Sequence, residues 1–376
     1  MSLLERLDLE HPIVGAGLGG GLSRARLTVA LGEAGGLGQL GIMPPPMLRA
    51  QLAAHRDRSS RPVAVNLLLP FAGREHWELA READAIVTFW GRPRRRSDGL
   101  WVHQCGSVDE ARMAVDEGAD GVIVQGVEAG GHVRGTTPAL ELLERTSSTL
   151  PPGFPLWLAG GVAERVDVEA ALAAGAEAVV VGTRFLLSDE SDAHPEYKRR
   201  LLDARSTVLT ELFGAGWPAP HRVVRNAATE RWLRNDERGP GWVRALHRAT
   251  APVLSRMPVG VTQRAARSQR PTMPLLGPAA ATVDDPDSLL DAGPLYAGEC
   301  VARIDGLRGA GELLRDLAGA PASTCRTNED RDPANPTPEE LRETAASEGL
   351  MATEEETDPE FKDDRDPADV PDAEMG

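Results

Sequence analysis

At 376 residues, of which 41% are hydrophobic and 4% aromatic, the chain can hold one large domain or two medium ones around a full core. No window reaches the roughly 18 apolar residues of a membrane span, and the charged stretch Met1 to Pro12 has no signal-peptide core, so a cytoplasmic address is expected. Residues 321–376 carry 18 acidic against 5 basic side chains, a balance of -13, and the remaining -3 of the net charge of -16 predicts no nucleic-acid footprint.

Taken in chain order, short apolar runs that end in glycine or a polar residue predict eight strands. They are Pro12–Gly15, Gly38–Gly41, Pro62–Leu68, Ala85–Trp90, Leu100–Gln104, Gly121–Gln125, Leu156–Ala159 and Ala178–Val181. Segments of helical spacing lie between most of them: Arg26–Glu33, Met47–His55, Glu75–Arg81, Val108–Glu117, Leu140–Arg145 and Val166–Ala174. Near-continuous apolar strands alternating with amphipathic helices imply a parallel sheet covered by helices, and eight such units predict a (β/α)8 TIM barrel. One link strains this reading. Between Trp90 and Leu100 only nine residues remain, whereas a parallel crossover normally takes a dozen or more.

The polar residues then fall into place on that layout. Asn66, Gly91, Gln125, His132, Gly160, Gly161, Gly182 and Thr183 all lie at or just after C-terminal strand ends, the face on which barrels carry their sites. His132 follows Gly130 and Gly131, whose missing side chains let backbone approach a ligand closely. The turns Gly160-Gly161 and Gly182-Thr183 end the seventh and eighth strands, the two loops where barrels bind phosphate through backbone N–H groups.

Other motifs carry less. Gly15-Ala16-Gly17-Leu18-Gly19-Gly20 matches a dinucleotide fingerprint, but the second strand offers no acidic residue for a ribose, so it reads as a barrel loop against a flat ligand. Cys105, Cys300 and Cys325 form no CxxC pair, and the histidines no HExxH spacing, so neither a disulfide frame nor a metal site is expected. From Phe213 to Pro274 the chain is rich in Arg and Trp and reads as helices with loops over the barrel mouth. The tail from Pro321 is poor in large apolar residues and repeats Asp330-Arg-Asp-Pro-Ala as Asp364-Arg-Asp-Pro-Ala. Disorder is expected there, with at most a helical turn near Pro338–Ala346.

His11-Pro12-Ile13-Val14, Glu33-Ala34-Gly35-Gly36-Leu37-Gly38, Val65-Asn66-Leu67, Gln125-Gly126-Val127-Glu128-Ala129-Gly130-Gly131-His132, Ala159-Gly160-Gly161-Val162 and Gly182-Thr183-Arg184-Phe185-Leu186 together resemble the nitronate monooxygenase family. Pro294-Leu295-Tyr296-Ala297-Gly298 resembles the family's late flavin-side loop. The resemblance implies a barrel binding FMN without a covalent link, and oxidation of a nitronate or nitroalkane by O2 to a carbonyl compound and nitrite. It implies Gly17, Leu18, Asn66, Gln125, Gly130 and Gly131 at the flavin, and Gly160, Gly161, Gly182 and Thr183 at its phosphate. His132 would be catalytic, with Tyr296 and Gly298 on the substrate side. The implied organisation is an FMN-binding barrel over 1–212, a helical insertion or lid over 213–275, a part packing back on the barrel over 276–320 and the acidic tail over 321–376. A homodimer and a partner docked by the tail are further expectations.

Two departures stand out: the first loop has Gly17-Leu18 where the family usually shows Pro-Met, and Glu299 stands where Gln is common. Relatives on the same barrel include flavin-dependent enoyl-acyl carrier protein reductases and NAD(P)H:quinone reductases, so a reductase is the alternative. A flavin-binding protein without turnover is the third reading.

Overall fold

The structure is a computed structural model that describes residues 2–255, 257 and 264–320; the acidic segment and its expected disorder lie outside the described residues. Eight strands form one parallel sheet: β1 (Ile13–Gly15), β2 (Gly38–Leu40), β3 (Val63–Leu68), β4 (Ala85–Phe89), β5 (Leu100–Cys105), β6 (Gly121–Gln125), β8 (Leu156–Ala159) and β9 (Ala178–Val181), while a two-residue strand, β7 (Gly131–His132), stands outside it. The order is β1-β9-β8-β6-β5-β4-β3-β2. Gly15 N–H donates to Leu37 O (2.8 Å) and Leu37 N–H to Ile13 O (3.1 Å), which joins the two ends of the sheet. The TIM barrel read from the sequence is therefore the observed architecture, with each of the eight strands where the apolar runs place it.

Side-chain period divides the sheet into two cores. Val14, Leu37, Ala64, Ala85, Val87, Val102, Ile123, Trp157 and Val180 fill the interior, and the N-terminal helix Leu3–Arg6 closes its lower end by adding Leu3 and Leu7 to that cluster. Glu177 ties the plug in place, accepting from Leu3 N (2.7 Å) and from Trp157 Nε1 (2.9 Å). On the outside, Ile13, Val122, Val124, Leu158, Val179 and Val181 pack against the surrounding helices.

The outer helix that belongs to the eighth barrel strand comes from far along the chain. Ala310–Ala318 packs between Ala25–Glu33 and Arg165–Ala173, where the helix after the last barrel strand belongs. The chain between Thr183 and Gly309 is thus inserted after that strand, and it supplies the cover of the barrel mouth.

The strained fourth link is resolved by the absence of a helix. Residues 90–99 cross as irregular chain, and β4 still pairs in parallel with β5. Trp90 begins the link with φ of 62° and Gly91 follows at 111°. The left-handed region costs a bulky residue roughly 1–2 kcal/mol, so the surroundings of Trp90 hold it there. On the outer face of these two strands Trp101 Nε1 donates to Thr88 Oγ1 (2.7 Å), which also bonds His103 Nδ1 (2.7 Å).

The helices expected over 213–275 include Ala227–Trp232 and Gly241–Leu254. A four-stranded antiparallel sheet accompanies them that apolar runs do not announce: β10 (Val208–Thr210), β11 (His221–Val224), β12 (Leu295–Tyr296) and β7. β11 reads His-Arg-Val-Val, too short and too polar at its start to stand out, and its partners come from three distant segments.

Candidate active site

The period-2 alternation that fills the barrel interior also builds a floor at its C-terminal end. Asn66 lies two residues beyond Ala64, Gln125 two beyond Ile123, Gln104 two beyond Val102 and Gln39 two beyond Leu37, so four carboxamides cap the apolar interior. Above them opens a cavity of about 800 Å³, within the roughly 300–1,000 Å³ of small-molecule and cofactor pockets. The thirteen site residues that the resemblance implies all line this one cavity, whereas Gly91, also read at a strand end, does not. Gly17 and Leu18 come from the loop after β1, Asn66 from β3, Gln125 from β6 and Gly130, Gly131 and His132 from the loop that follows. Gly160, Gly161, Gly182 and Thr183 come from the last two strand ends, and Tyr296 and Gly298 from the late loop.

The His132 segment is fixed on both sides. His132 lies opposite His221 and Gly131 opposite Arg222 in the antiparallel pair β7/β11, and Val133 N–H donates to Pro220 O (2.9 Å). From below, Gln125 Nε2 donates to His132 O (3.0 Å) and Gln125 Oε1 accepts from Arg134 N (3.2 Å). Gln125 thereby positions the His132 loop, keeping one N–H and one lone pair for a ligand. Arg134 is anchored in turn by an ion pair with Glu110 and lies 5.2 Å over the Trp90 ring.

The imidazole of His132 stacks on the Trp217 indole at 3.6 Å and 19°, with Trp90 edge-on at 6.2 Å, Tyr296 at 5.6 Å and His221 at 5.3 Å. Its Nε2 is buried without a hydrogen-bond partner. Burial first, and then His221, hold His132 well below the ordinary imidazole range. It is therefore neutral at pH 7, with one N–H and one lone pair. His221 is locked by backbone: its Nδ1–H donates to Ala219 O (2.8 Å) and its Nε2 accepts from Phe213 N–H (3.2 Å). Burial pushes His221 down to about 4.

On the two strands that follow β6 around the barrel, the glycine turns form a smooth wall beside the His132 loop. Gly160 and Gly161 have φ of 113° and 77°, which a side chain rarely adopts, and a Cβ on Gly131 or Gly182 would meet no atom closer than 3.8 Å, so both sit at open space. The turn of Thr183–Leu186 starts at the wall, and Thr183 Oγ1 accepts from Gly298 N (2.8 Å), joining the late loop to it. Gly130 is needed for the same junction. A Cβ there would lie 2.4 Å from Gly298 N and 2.5 Å from the Ala297 carbonyl carbon.

The two departures acquire physical reasons. At Gly17 any Cβ, that of proline included, would lie 2.3 Å from Asn66 Cβ, so the close packing of the first loop on β3 requires glycine. Glu299 does not line the cavity. It is paired with the buried guanidinium of Arg222 (2.9 Å), which also holds Val127 O (2.8 Å).

Several wall residues are absent from the sequence reading. Gln39 and Gln104 share the floor, and their signal was the same alternation that marks Asn66 and Gln125. Phe71, Phe89 and Trp217 give the cavity an aromatic side, and Cys300 lies near Thr183. Among the described residues no cluster of metal-ligating side chains is present, and no helix is long and apolar enough to cross a membrane.

The family model described as nitronate monooxygenase matches residues 92–319. A Mycobacterium tuberculosis protein named (3aS,4S,5R,7aS)-5-hydroxy-7a-methyl-1-oxo-octahydro-1H-indene-4-carboxyl-CoA dehydrogenase is 29% identical over 84% of this chain and 94% of its own length. Among solved structures, FabK from Thermotoga maritima superposes with a TM-score of 0.66 at 27% identity, covering 93% of this chain and 98% of its own. Nitroalkane oxidase from Streptomyces ansochromogenes gives 0.65 at 26% identity, covering 85% and 97%.

Proposed function

Given that this chain belongs to the nitronate monooxygenase family and is an oxidoreductase, we propose that it binds FMN and oxidises alkyl nitronates with O2 to a carbonyl compound and nitrite. The observation that carries this reading is a neutral histidine with an unpartnered ring nitrogen on the wall of a barrel-mouth cavity that two glycine turns on neighbouring strands also line.

The residues fit the cofactor. Buried polar atoms are normally paired, yet Gln39 Oε1 and Nε2 and His132 Nε2 are buried without partners beside the cavity. Gly160, Gly161, Gly182 and Thr183 would hold the phosphate, and Gly17, Leu18, Asn66, Gln125, Gly130 and Gly131 the ring and ribityl chain. FMN, when bound, supplies the electron transfer and the reaction with O2. Tyr296 and Gly298 would border the substrate. His132, neutral at rest, takes the proton from a neutral nitroalkane through its lone pair or donates its N–H to a nitro oxygen. An anionic nitronate beside the ring favours the imidazolium, so nitronate binding is coupled to proton uptake by His132. The apolar wall of Phe71, Phe89 and Trp217 keeps bulk water from the reacting atoms.

The visible spectrum of the FMN-loaded protein, mixed anaerobically with propionate 3-nitronate and separately with NADH, tests this. Bleaching by nitronate alone is expected. Bleaching by NADH only would replace the proposal with the reductase reading, which the full-length likeness to FabK and to a carboxyl-CoA dehydrogenase favours. A protein that takes up no FMN would remove both.

A further inference from the structure

Gln39 is the least explained polar residue of the barrel. It is 1% exposed, it sits on β2 facing the cavity floor, and neither Oε1 nor Nε2 of its side chain has a hydrogen-bond partner. Its backbone is secured, since Gln39 O accepts from the Ser23 hydroxyl and β2 pairs with β3. The side chain contributes nothing to that. An unpartnered buried amide costs free energy, so the empty barrel would be better served by an apolar residue of the same shape. The residue nevertheless lines the cavity. A Cβ added at Gly17 in the first loop would stand 3.4 Å from Gln39 Oε1 and would also meet Asn66, the neighbouring floor residue.

We propose that Gln39 reads the flavin ring, its amide hydrogen-bonding the pyrimidine edge of bound FMN. This rests on the FMN reading given above. A carboxamide offers a donor and an acceptor side by side, and the pyrimidine edge of a flavin alternates carbonyl oxygens with an N–H, so the two patterns are complementary. A phosphate or a nitro group carries acceptors only and would leave Oε1 unsatisfied. The place of Gln39 on the floor, across the first loop from Asn66, makes it a binding residue for the ring.

The test is a pair of variants, Gln39→Met and Gln39→Glu, each read by FMN titration of the apoprotein through flavin fluorescence and by thermal melting of the same apoprotein. Met keeps the volume and removes both polar atoms; Glu keeps acceptors and loses the donor. Gln39→Met is expected to weaken FMN binding by about 10- to 100-fold while the apoprotein melts at or above the wild-type temperature, and Gln39→Glu to weaken it at pH 7 as well. FMN affinity within twofold of wild type in Gln39→Met would overturn the proposal. So would an apoprotein of Gln39→Met that melts well below wild type, since the amide would then serve the fold. If the wild-type chain itself takes up no FMN, the cofactor reading fails, and that outcome is distinct from a variant that binds normally.

Discussion

Alanine in place of His132 is expected to lower kcat/KM for a neutral nitroalkane by about 10²- to 10⁴-fold, the usual contribution of a positioned proton acceptor. The loss should be smaller for nitronate supplied ready-made, because no proton then has to leave carbon. The geometry makes the experiment clean. The backbone of residues 131–133 is held by β11 and by Pro220, and Gln125 holds His132 through its carbonyl, so the alanine variant retains every one of these bonds. The loop should therefore keep its place and FMN content should stay near wild type while turnover falls, with the melting temperature lowered only by the lost stacking of the ring on Trp217. Equal losses with nitroalkane and nitronate would assign His132 to orienting the nitro group. Unchanged turnover with both substrates would remove His132 from the chemistry, and loss of FMN would make it a structural residue of the loop.

How far the sequence carries depends on whether a feature is built from one segment or several. The barrel was readable because a buried parallel strand announces itself as an unbroken apolar run, as Gly121–Gln125 does, and because segments of helical spacing alternate with such runs. The glycine turns after β8 and β9 were readable for the same reason: they are local. The site wall was readable in part. Asn66 and Gln125 end strands and draw notice, whereas Gln39 is embedded between Gly38 and Leu40, and only the inward parity of β2 shows that it shares their floor. The cover over His132 was legible only in outline, as a segment over the barrel mouth and a late loop at the substrate side, not as ring contacts. Trp90 lies in a helix-free link, Trp217 in an insertion and Tyr296 in a late loop, and only tertiary packing brings them to one ring. The second sheet was hidden in the same way, since β7 is two residues long and β11 opens with His and Arg. That 276–320 packs back on the barrel was expected, but that Ala310–Ala318 supplies its last helix follows from neither composition nor order, because a long insertion separates it from β9.

Stability should fall steeply as pH drops from 6.5 to 4.5. His221 is pushed down to about 4 and His103 to about 3, both chiefly by burial. In each case the unfolded chain binds a proton near pH 6.5 while the folded chain does not, so stability is full above that pH and declines as pH falls toward the folded values. Each histidine then contributes about 1.4 kcal/mol of loss per pH unit, or about 5 kcal/mol for the pair by pH 4.5. That is comparable with the whole stability of many domains, roughly 5–15 kcal/mol. The cause at His221 is visible: its Nδ1–H already donates to Ala219 O and its Nε2 already accepts from Phe213 N–H, so a second proton has no place without breaking that bond. His55, His76, His132 and His247 are lowered as well, which adds to the slope in the same direction. Urea midpoints at pH 7, 6, 5 and 4.5 measure the effect, and His103→Gln, which cannot titrate, should be less steep than wild type by about one proton. A midpoint that does not move between pH 6.5 and 4.5 would contradict the burial of these rings. Because His221 is the cross-strand partner of His132, its protonation, which falls below that window, would break its bond from Phe213 N–H beside the site, and activity should be lost no later than the fold.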